Sequence, residues 1–371
     1  MKNTFGTSIA VTLFGESHGE AIGAVLDGLA PGIEIDEALI REKLSQRRPS
    51  GKISTPRVEA DEFSIVSGVF DGRTTGTPLC IIIPNTNKKS GDYDRVARLA
   101  RPGHADYTAE CKYHGFQDRR GGGHFSGRLT AALVAVGAIV LGALERCGIR
   151  VATHISALGS VCDRGFDGND LENDIKKLNG STFAVLDDGA AEAMRAEILA
   201  AAEEGDSVGG VLETVVCGLP AGVGEPWFDT VEGLLAHAMF SIPGIKGVEF
   251  GAGFGISKLR GSEANDPFRA GEGGAVTLTN NNGGINGGIT NGMPVVFRCA
   301  VKPTPSIFKT QQTVEIESGE NAELTLTGRH DPAIVHRARA VVDCMTALTV
   351  ADLLVQRYGT DWLAGECPSG K

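Results

Sequence analysis

The chain has no surplus of positive charge: 35 Lys and Arg stand against 46 Asp and Glu, a formal net charge of −11. Nucleic acid and anionic membranes are gripped by facing cations, so that balance argues against both as partners. It also lacks any CxxC pair. Cys80, Cys111, Cys147, Cys162, Cys217, Cys299, Cys344 and Cys367 lie far apart, which speaks against a zinc site and for reduced thiols in a cytoplasmic protein. The uncharged run from Leu129 to Leu144, bounded by Arg128 and Glu145, falls short of the roughly 20 residues that span a bilayer. Ser8 to Phe14, the largely apolar stretch before Glu16, is too short for a secretory leader. A Walker loop is absent, and GAGFG at 251–255 fails the dinucleotide spacing. No long linker or short-period repeat divides the chain, so a single domain over 1–371 is expected.

What is abundant is glycine: 51 of 371 residues, against an ordinary usage of about 7%. Apolar residues at helical spacing predict helices over Asp36 to Gln46, Leu129 to Leu144, Asp188 to Glu204, Thr230 to Phe240 and Ala333 to Arg357. The second of these is rich in Ala and Gly and suits a core helix between sheets. Strands are expected over Ser8 to Leu13, Ile65 to Phe70, Leu79 to Ile83, Leu212 to Val216 and Val295 to Val301. Ala24 to Gly32 (AVLDGLAPG) and Val215 to Gly224 (VVCGLPAGVG) each end a strand, turn, and lead into an amphipathic helix followed by a proline. This is read as a degenerate duplication about one core; chance similarity in a glycine-rich chain is the alternative.

Histidine is the side chain that exchanges protons near neutral pH. His18 follows an apolar strand in FGESHGE, and His104 lies in RPGHADY, three residues beyond Arg101. Taken singly, a solvated or structurally bonded imidazole is the commoner case; glycine-flanked loops with basic neighbours favour an anion site. DRRGGGHFSGR at 118–128 places glycines and arginines just before the core helix, where free amides attract anions. Arg47 and Arg48 close the first helix, and Arg95, Arg98 and Arg101 precede His104. A guanidinium fork matches carboxylate or phosphate, although a helix C-terminus also favours cations for its dipole alone. NNNGGINGGITNG at 280–292 lays backbone bare between strands, KPTPS at 302–306 is a stiff turn with a cation, and GRHDP at 328–332 opens the last helix, where Asp331 could be simply an N-cap.

FGESHG, the RRP turn, RPGHADYT, RGGG before an apolar helix, GGINGGI, KPT and GRHDP occur in the order seen in chorismate synthases, and the chain resembles that family from Asn3 to about Arg357. The resemblance implies an α+β fold, a β-α-β sandwich with internal pseudo-two-fold duplication, assembled as a homotetramer. It implies anti-1,4 elimination of phosphate from 5-enolpyruvylshikimate 3-phosphate to give chorismate, the last step of the shikimate pathway, with reduced FMN. By the family's pattern His18 protonates the departing phosphate, His104 bonds the N1/C2 edge of the flavin, and Asp331 works with flavin N5. Arg47, Arg48, Arg101, Arg128 and Arg329 match substrate-anion positions. His124, Phe125, Ser126, Pro243, Gly244, Gly288, Lys302, Pro303, Thr304, Pro305, Ser306 and again Arg329 match the FMN cradle. Arg47 and Lys52 match positions sometimes linked to NADPH as reductant. The chain departs from the family where His124 and Phe125 replace an arginine and a serine, where Pro243-Gly244 replaces Asn-Ala, and at Pro305, which affects cofactor grip rather than the protonation residues. A noncatalytic anion- or nucleotide-binding scaffold of the same fold is the alternative.

Overall fold

The computed structural model describes residues 2–49, 51, 53–55, 60–86, 98–166, 168, 170–271, 273–328 and 330–365; Lys52, Arg95, Arg329 and Cys367, named above, lie outside the described residues. The first half runs β1 (Thr4–Phe5), β2 (Ala10–Gly15), β3 (Ala21–Asp27), α1 (Glu37–Arg47), β4 (Ser64–Ser67), β5 (Leu79–Pro84), α2 (Asp106–Tyr113) and α3 (Thr130–Arg146). The second runs β6 (Arg150–Leu158), β7 (Val161–Cys162), α4 (Leu171–Asn179), α5 (Asp188–Glu203), β8 (Gly210–Cys217), α6 (Val231–Ser241), β9 (Ile245–Phe250), β10 (Val295–Val301) and α7 (Val335–Tyr358). Short two-stranded hairpins and single helical turns fill the connections.

Each half contributes an antiparallel five-stranded sheet, ordered β1-β2-β3-β5-β4 in the first and β9-β10-β8-β6-β7 in the second. In both, a hairpin pair leads through a helix to an outer strand, and the next strand returns between them: β2, β3, β5 and β4 correspond to β6, β8, β10 and β9, and α1 to α6. α3 packs on the first sheet, α7 on the second, and the two helices pack on each other, so a helical layer lies between two sheets. Fourteen consecutive residues of α3, Ala131 to Leu144, are buried, which explains the lack of charge: a helix covered all round has no polar face. Its two glycines mark the helix crossings. A Cβ on Gly137 would fall 2.4 Å from Cβ of Cys344 in α7, and one on Gly142 would fall 3.2 Å from Leu39 in α1.

The duplication extends to individual hydrogen bonds. After β3 the chain turns at Gly28 with φ +88°, and after β8 at Gly218 with φ +83°; a Cβ at either would strike a backbone oxygen, of Ser8 or of Gly148. Thr74 Oγ1 accepts the Ile33 N–H (2.9 Å) and donates to Ala30 O (2.6 Å). Thr290 Oγ1 accepts the Val223 N–H (2.9 Å) and donates to Pro220 O (2.7 Å). The N–H groups of Gly32 and Gly222 donate to the carbonyls of Thr74 and Thr290, each at 2.8 Å. The halves differ where the hairpins close: β2 and β3 are joined by the short loop that carries His18, whereas residues 159–209, with β7, α4 and α5, join β6 to β8.

Candidate active site

Loops from both halves meet beyond the end of β2. Gly15 has φ +96°, in the left-handed region, and the chain then turns so that Gly19 N–H reaches Glu16 O (3.0 Å). Asn85, just past β5, braces this loop, its Nδ2 donating to Glu16 O (2.9 Å) and Gly19 O (3.1 Å). His18 is buried, with Nδ1 3.2 Å from Ser17 Oγ. The glycine-rich segment before α3 lies against it: Ser17 N–H donates to Gly123 O (3.1 Å), and a Cβ on Gly121 would sit 2.2 Å from Cε1 of His18. At that position any side chain would displace the imidazole. His124 bonds Gly15 O through Nδ1 (2.8 Å), Ser126 Oγ accepts the Arg128 N–H (3.2 Å), and Phe125 is exposed, with its ring edge-on to Tyr113.

The RPGH turn docks beside that segment. Arg101 binds Asp106 through Nε and Nη2, both at 2.7 Å, and Nη2 also reaches Gly121 O (2.8 Å). Its fork therefore fixes the turn to the first residue of α2. His104 Nε2 lies 2.9 Å from Ser306 Oγ. Burial, the Arg101 guanidinium and Lys302 push its pKa down to about 4 against the opposing pull of Asp106, so the imidazole is neutral at physiological pH. The KPTPS turn supports it from the second half: Lys302 Nζ donates to Gly103 O (2.6 Å), and Pro305 packs where a Cβ on Gly103 would fall 2.7 Å away. Lys302 N–H donates to Gly244 O (2.9 Å), which brings Pro243 and Gly244 to the same turn. Pro303 packs on Gly209, and Thr304 O accepts the Ser207 hydroxyl (2.7 Å).

The remaining cations gather on a residue the motifs did not single out. The Asp61 carboxylate, with no exposed side-chain area, accepts from Arg47 Nη2 (3.0 Å), Arg48 Nε (3.3 Å) and Arg128 Nη1. Burial works to raise its pKa, and the Arg47 and Arg128 guanidiniums outweigh burial and hold it at about 2. Arg128 Nε also donates to Asn85 Oδ1 (3.1 Å). On the other side Arg337 Nε donates to Arg47 O (2.9 Å), and its Nη1 pairs with Asp331 Oδ2, whose second oxygen accepts the Thr55 N–H (2.8 Å). Asp331 is therefore held by side-chain and loop contacts; it does not cap α7, which begins only at Val335.

A continuous set of contacts thus joins His18, Arg47, Arg48, Arg128 and Asp331, and the Arg101–Gly121 contact adds the His104 turn with Lys302 to Ser306. Gly288 stands apart. Its carbonyl accepts the N–H of Val231, the first residue of α6, while Gly244 follows the other end of that helix, about 16 Å away at 1.5 Å per residue. Asp61, Asn85, Arg337 and Thr55 were not foreseen. Arg337, a cation in the first turn after GRHDP, carried the one local signal among them.

Comparison with known proteins gives this cluster its context. The chorismate synthase family profile matches residues 9–355. The chorismate synthase of Thermococcus kodakarensis is 46% identical over 352 residues, 95% of this chain and 97% of the relative. That of Aeropyrum pernix is 47% identical over 356 residues, 96% and 93% of the two chains. A crystal structure of chorismate synthase superposes with a TM-score of 0.76 at 28% identity, covering 98% of this chain and 96% of that one. The likeness runs over nearly the whole of both chains in each case, and the chain belongs to the chorismate synthase family of carbon–oxygen lyases.

Proposed function

We propose that the cluster binds 5-enolpyruvylshikimate 3-phosphate with reduced FMN and carries out the anti-1,4 elimination of phosphate that forms chorismate. The observation that carries this reading is the meeting of a buried His18, a neutral His104 and the guanidiniums of Arg47, Arg48 and Arg128 in one set of loops. A substrate with two carboxylates and a phosphate needs such cations, and expulsion of phosphate needs a proton donor. His18 is the general acid in this reading. Arg47, Arg48 and Arg128, with Arg101 and Arg329, orient the anionic groups, and Asp331, fixed by Arg337, is the carboxylate at the opposite side.

The residues around His104 suit a flavin. Thr304 Oγ1 and His330 Nε2 are buried polar atoms with no partner among the described residues, although buried polar groups ordinarily pair. They lie on the loops that carry Lys302 and Asp331. His124, Phe125, Ser126, Pro243, Gly244 and Lys302 to Ser306 would hold FMN together with Arg329. When bound and reduced, it supplies transient electron density to the allylic system. The chain's part is to keep His104 uncharged beside it and to exclude water with the packed Gly103–Pro305 turn.

An anaerobic assay with dithionite-reduced FMN tests the proposal: phosphate and chorismate should appear together. His18→Ala and His104→Ala should each lose on the order of 100-fold in kcat, as removal of a general acid or its equivalent does. Absence of phosphate release by the unaltered protein would sink the reading. Titration of FMN against His124→Ala tests the cofactor grip, and unchanged affinity would remove His124 from it. Turnover under air with NADPH and FMN and no added reductase tests NADPH as reductant; Arg47, named for it, already engages Asp61. A cytoplasmic homotetramer is part of the same proposal; Trp227, Phe228, Phe254 and Phe268 are strongly exposed in the single chain, and aromatic side chains are of the kind that contacts between protein surfaces cover.

A further inference from the structure

Asp61 combines three properties that no nearby sequence motif explains. Its side chain has no exposed area, and both carboxylate oxygens are engaged, Oδ2 by Arg47 and Arg48 and Oδ1 by Arg128. The guanidiniums come from places distant in sequence, the C-terminal end of α1 and the entrance to α3. Its backbone adopts φ +49°, a left-handed conformation that a non-glycine residue holds only when its surroundings demand it, and that Asp and Asn tolerate best. A carboxylate placed at such cost to desolvation and backbone has to be repaid by its contacts, and those contacts are the three arginines.

Like charges brought within reach of one point repel, and long side chains left free wander among rotamers. A shared buried anion cures both: it offsets the repulsion and fixes where each fork points. Asn85 adds a second constraint on Arg128, so that the same residue bracing the His18 loop also aligns this guanidinium.

We propose that Asp61 is a positioning residue for substrate binding, its carboxylate gathering the Arg47, Arg48 and Arg128 forks into the array that receives the substrate's anionic groups. Enclosed as it is, it acts through the arginines and not on the substrate. The inference rests on the reading of this cluster as the substrate site.

Asp61→Asn is the informative variant, because Asn keeps the left-handed backbone and one acceptor oxygen while it removes the charge and turns an NH2 donor toward one of the guanidiniums. In the anaerobic phosphate-release assay its KM for 5-enolpyruvylshikimate 3-phosphate should rise at least fivefold. Partial unfolding lowers the apparent kcat and leaves KM unchanged, so KM separates positioning from mere stability. A KM shift smaller than fivefold overturns the proposal whatever happens to kcat. If the Asn variant is not recovered folded, Asp61→Glu, which keeps the charge and misplaces it by one methylene, is judged by the same criterion. Should the unaltered protein release no phosphate, the site reading fails and takes this inference with it; should it work while the variants' KM holds, Asp61 alone is ruled out.

Discussion

His104 Nε2 and the Ser306 hydroxyl stand 2.9 Å apart, and through that bond a turn of the first half is fixed to a turn of the second. With Lys302 on Gly103 O and Pro305 against Gly103, the imidazole is oriented by residues about two hundred positions away. Ser306→Ala removes one bond without changing charge. A net hydrogen bond is worth about 0.5–1.5 kcal/mol, so kcat/KM should fall by roughly threefold to tenfold, far less than for His104→Ala. Because His104 titrates at about 4, the acid limb of the wild-type pH–rate profile between pH 7 and 5 should not move in Ser306→Ala. A shifted limb would show that His104 gains its proton in that range.

The duplicated turns make a paired stability prediction. Thr74→Val and Thr290→Val each delete the hydroxyl that accepts a backbone N–H and donates to the carbonyl three residues before it, leaving buried groups unpaired. Each should cost roughly 1–3 kcal/mol, and the two should agree closely because the geometry is the same. Urea denaturation of both variants measures this. A large cost for one and none for the other would mean that only one copy of the turn is structural.

Such equivalences were only partly legible in the sequence. AVLDGLAPG and VVCGLPAGVG signalled the repeat because glycine at a left-handed position is a local demand, but Thr74 and Thr290 lie at different distances from their turns, and Thr290 sits in the glycine-rich 280–292 segment while Thr74 sits in no motif at all. The core helix read directly from its unbroken uncharged run, and the strand Val295–Val301 from apolar residues interrupted only by Arg298. Other boundaries moved for tertiary reasons. The expected strand from Ser8 begins at Ala10, since Asp352 of α7 takes the N–H groups of Thr7, Ser8 and Ile9 before the sheet can. The expected strand from Ile65 to Phe70 breaks at Gly68, whose φ of +84° lets it pass close to Leu79. Strand Arg150–Leu158 was missed because its alternation is masked by His154, buried between Asp163 (2.9 Å) and Glu213 (3.0 Å). The site shows the same division. His18, His104 and the arginines announce themselves in glycine loops, whereas Asp61 sits in an unremarkable acidic stretch and acquires meaning only when α1 and α3 bring arginines to it.

The glycine in the middle of α3 sets the spacing of the helical layer. Gly137→Ala puts a methyl 2.4 Å from Cβ of Cys344 and 3.0 Å from its Cα and O, contacts that α7 can relieve only by shifting. Overpacking of this kind costs about 1–3 kcal/mol, against a helix-propensity gain of about 1 kcal/mol. A net loss of thermal stability is expected, and Cys344→Ala in the same chain should not restore it, because the clash is with atoms an alanine retains. Restoration would show that the sulfur, and not the backbone approach, sets the distance.

His336, at the start of α7, provides a pH-dependent prediction. It is almost completely buried, its Nε2 lies 2.8 Å from Ser54 Oγ, and burial, with the Arg337 and Arg195 charges, pushes its pKa down to about 3. The unfolded chain takes up a proton near 6.5 that the folded chain refuses until about 3, so between those values the unfolded state holds more protons. Stability from this group is therefore full above about pH 6.5 and declines steadily as the pH falls through that window. His104, lowered to about 4, acts in the same direction over the upper part of it. His330, also lowered by burial, acts in the same sense, and His336→Leu removes one contribution of this kind. At pH 7.5 the variant should be less stable by roughly 1–3 kcal/mol, because Ser54 loses its partner. At pH 5 it should have lost less than the wild-type protein, since each pH unit below 6.5 costs the native histidine about 1.36 kcal/mol. Melting temperatures from pH 4.5 to 7.5 should thus converge or cross; parallel curves would mean that His336 accepts its proton in the folded state, through an opening of the Ser54 contact.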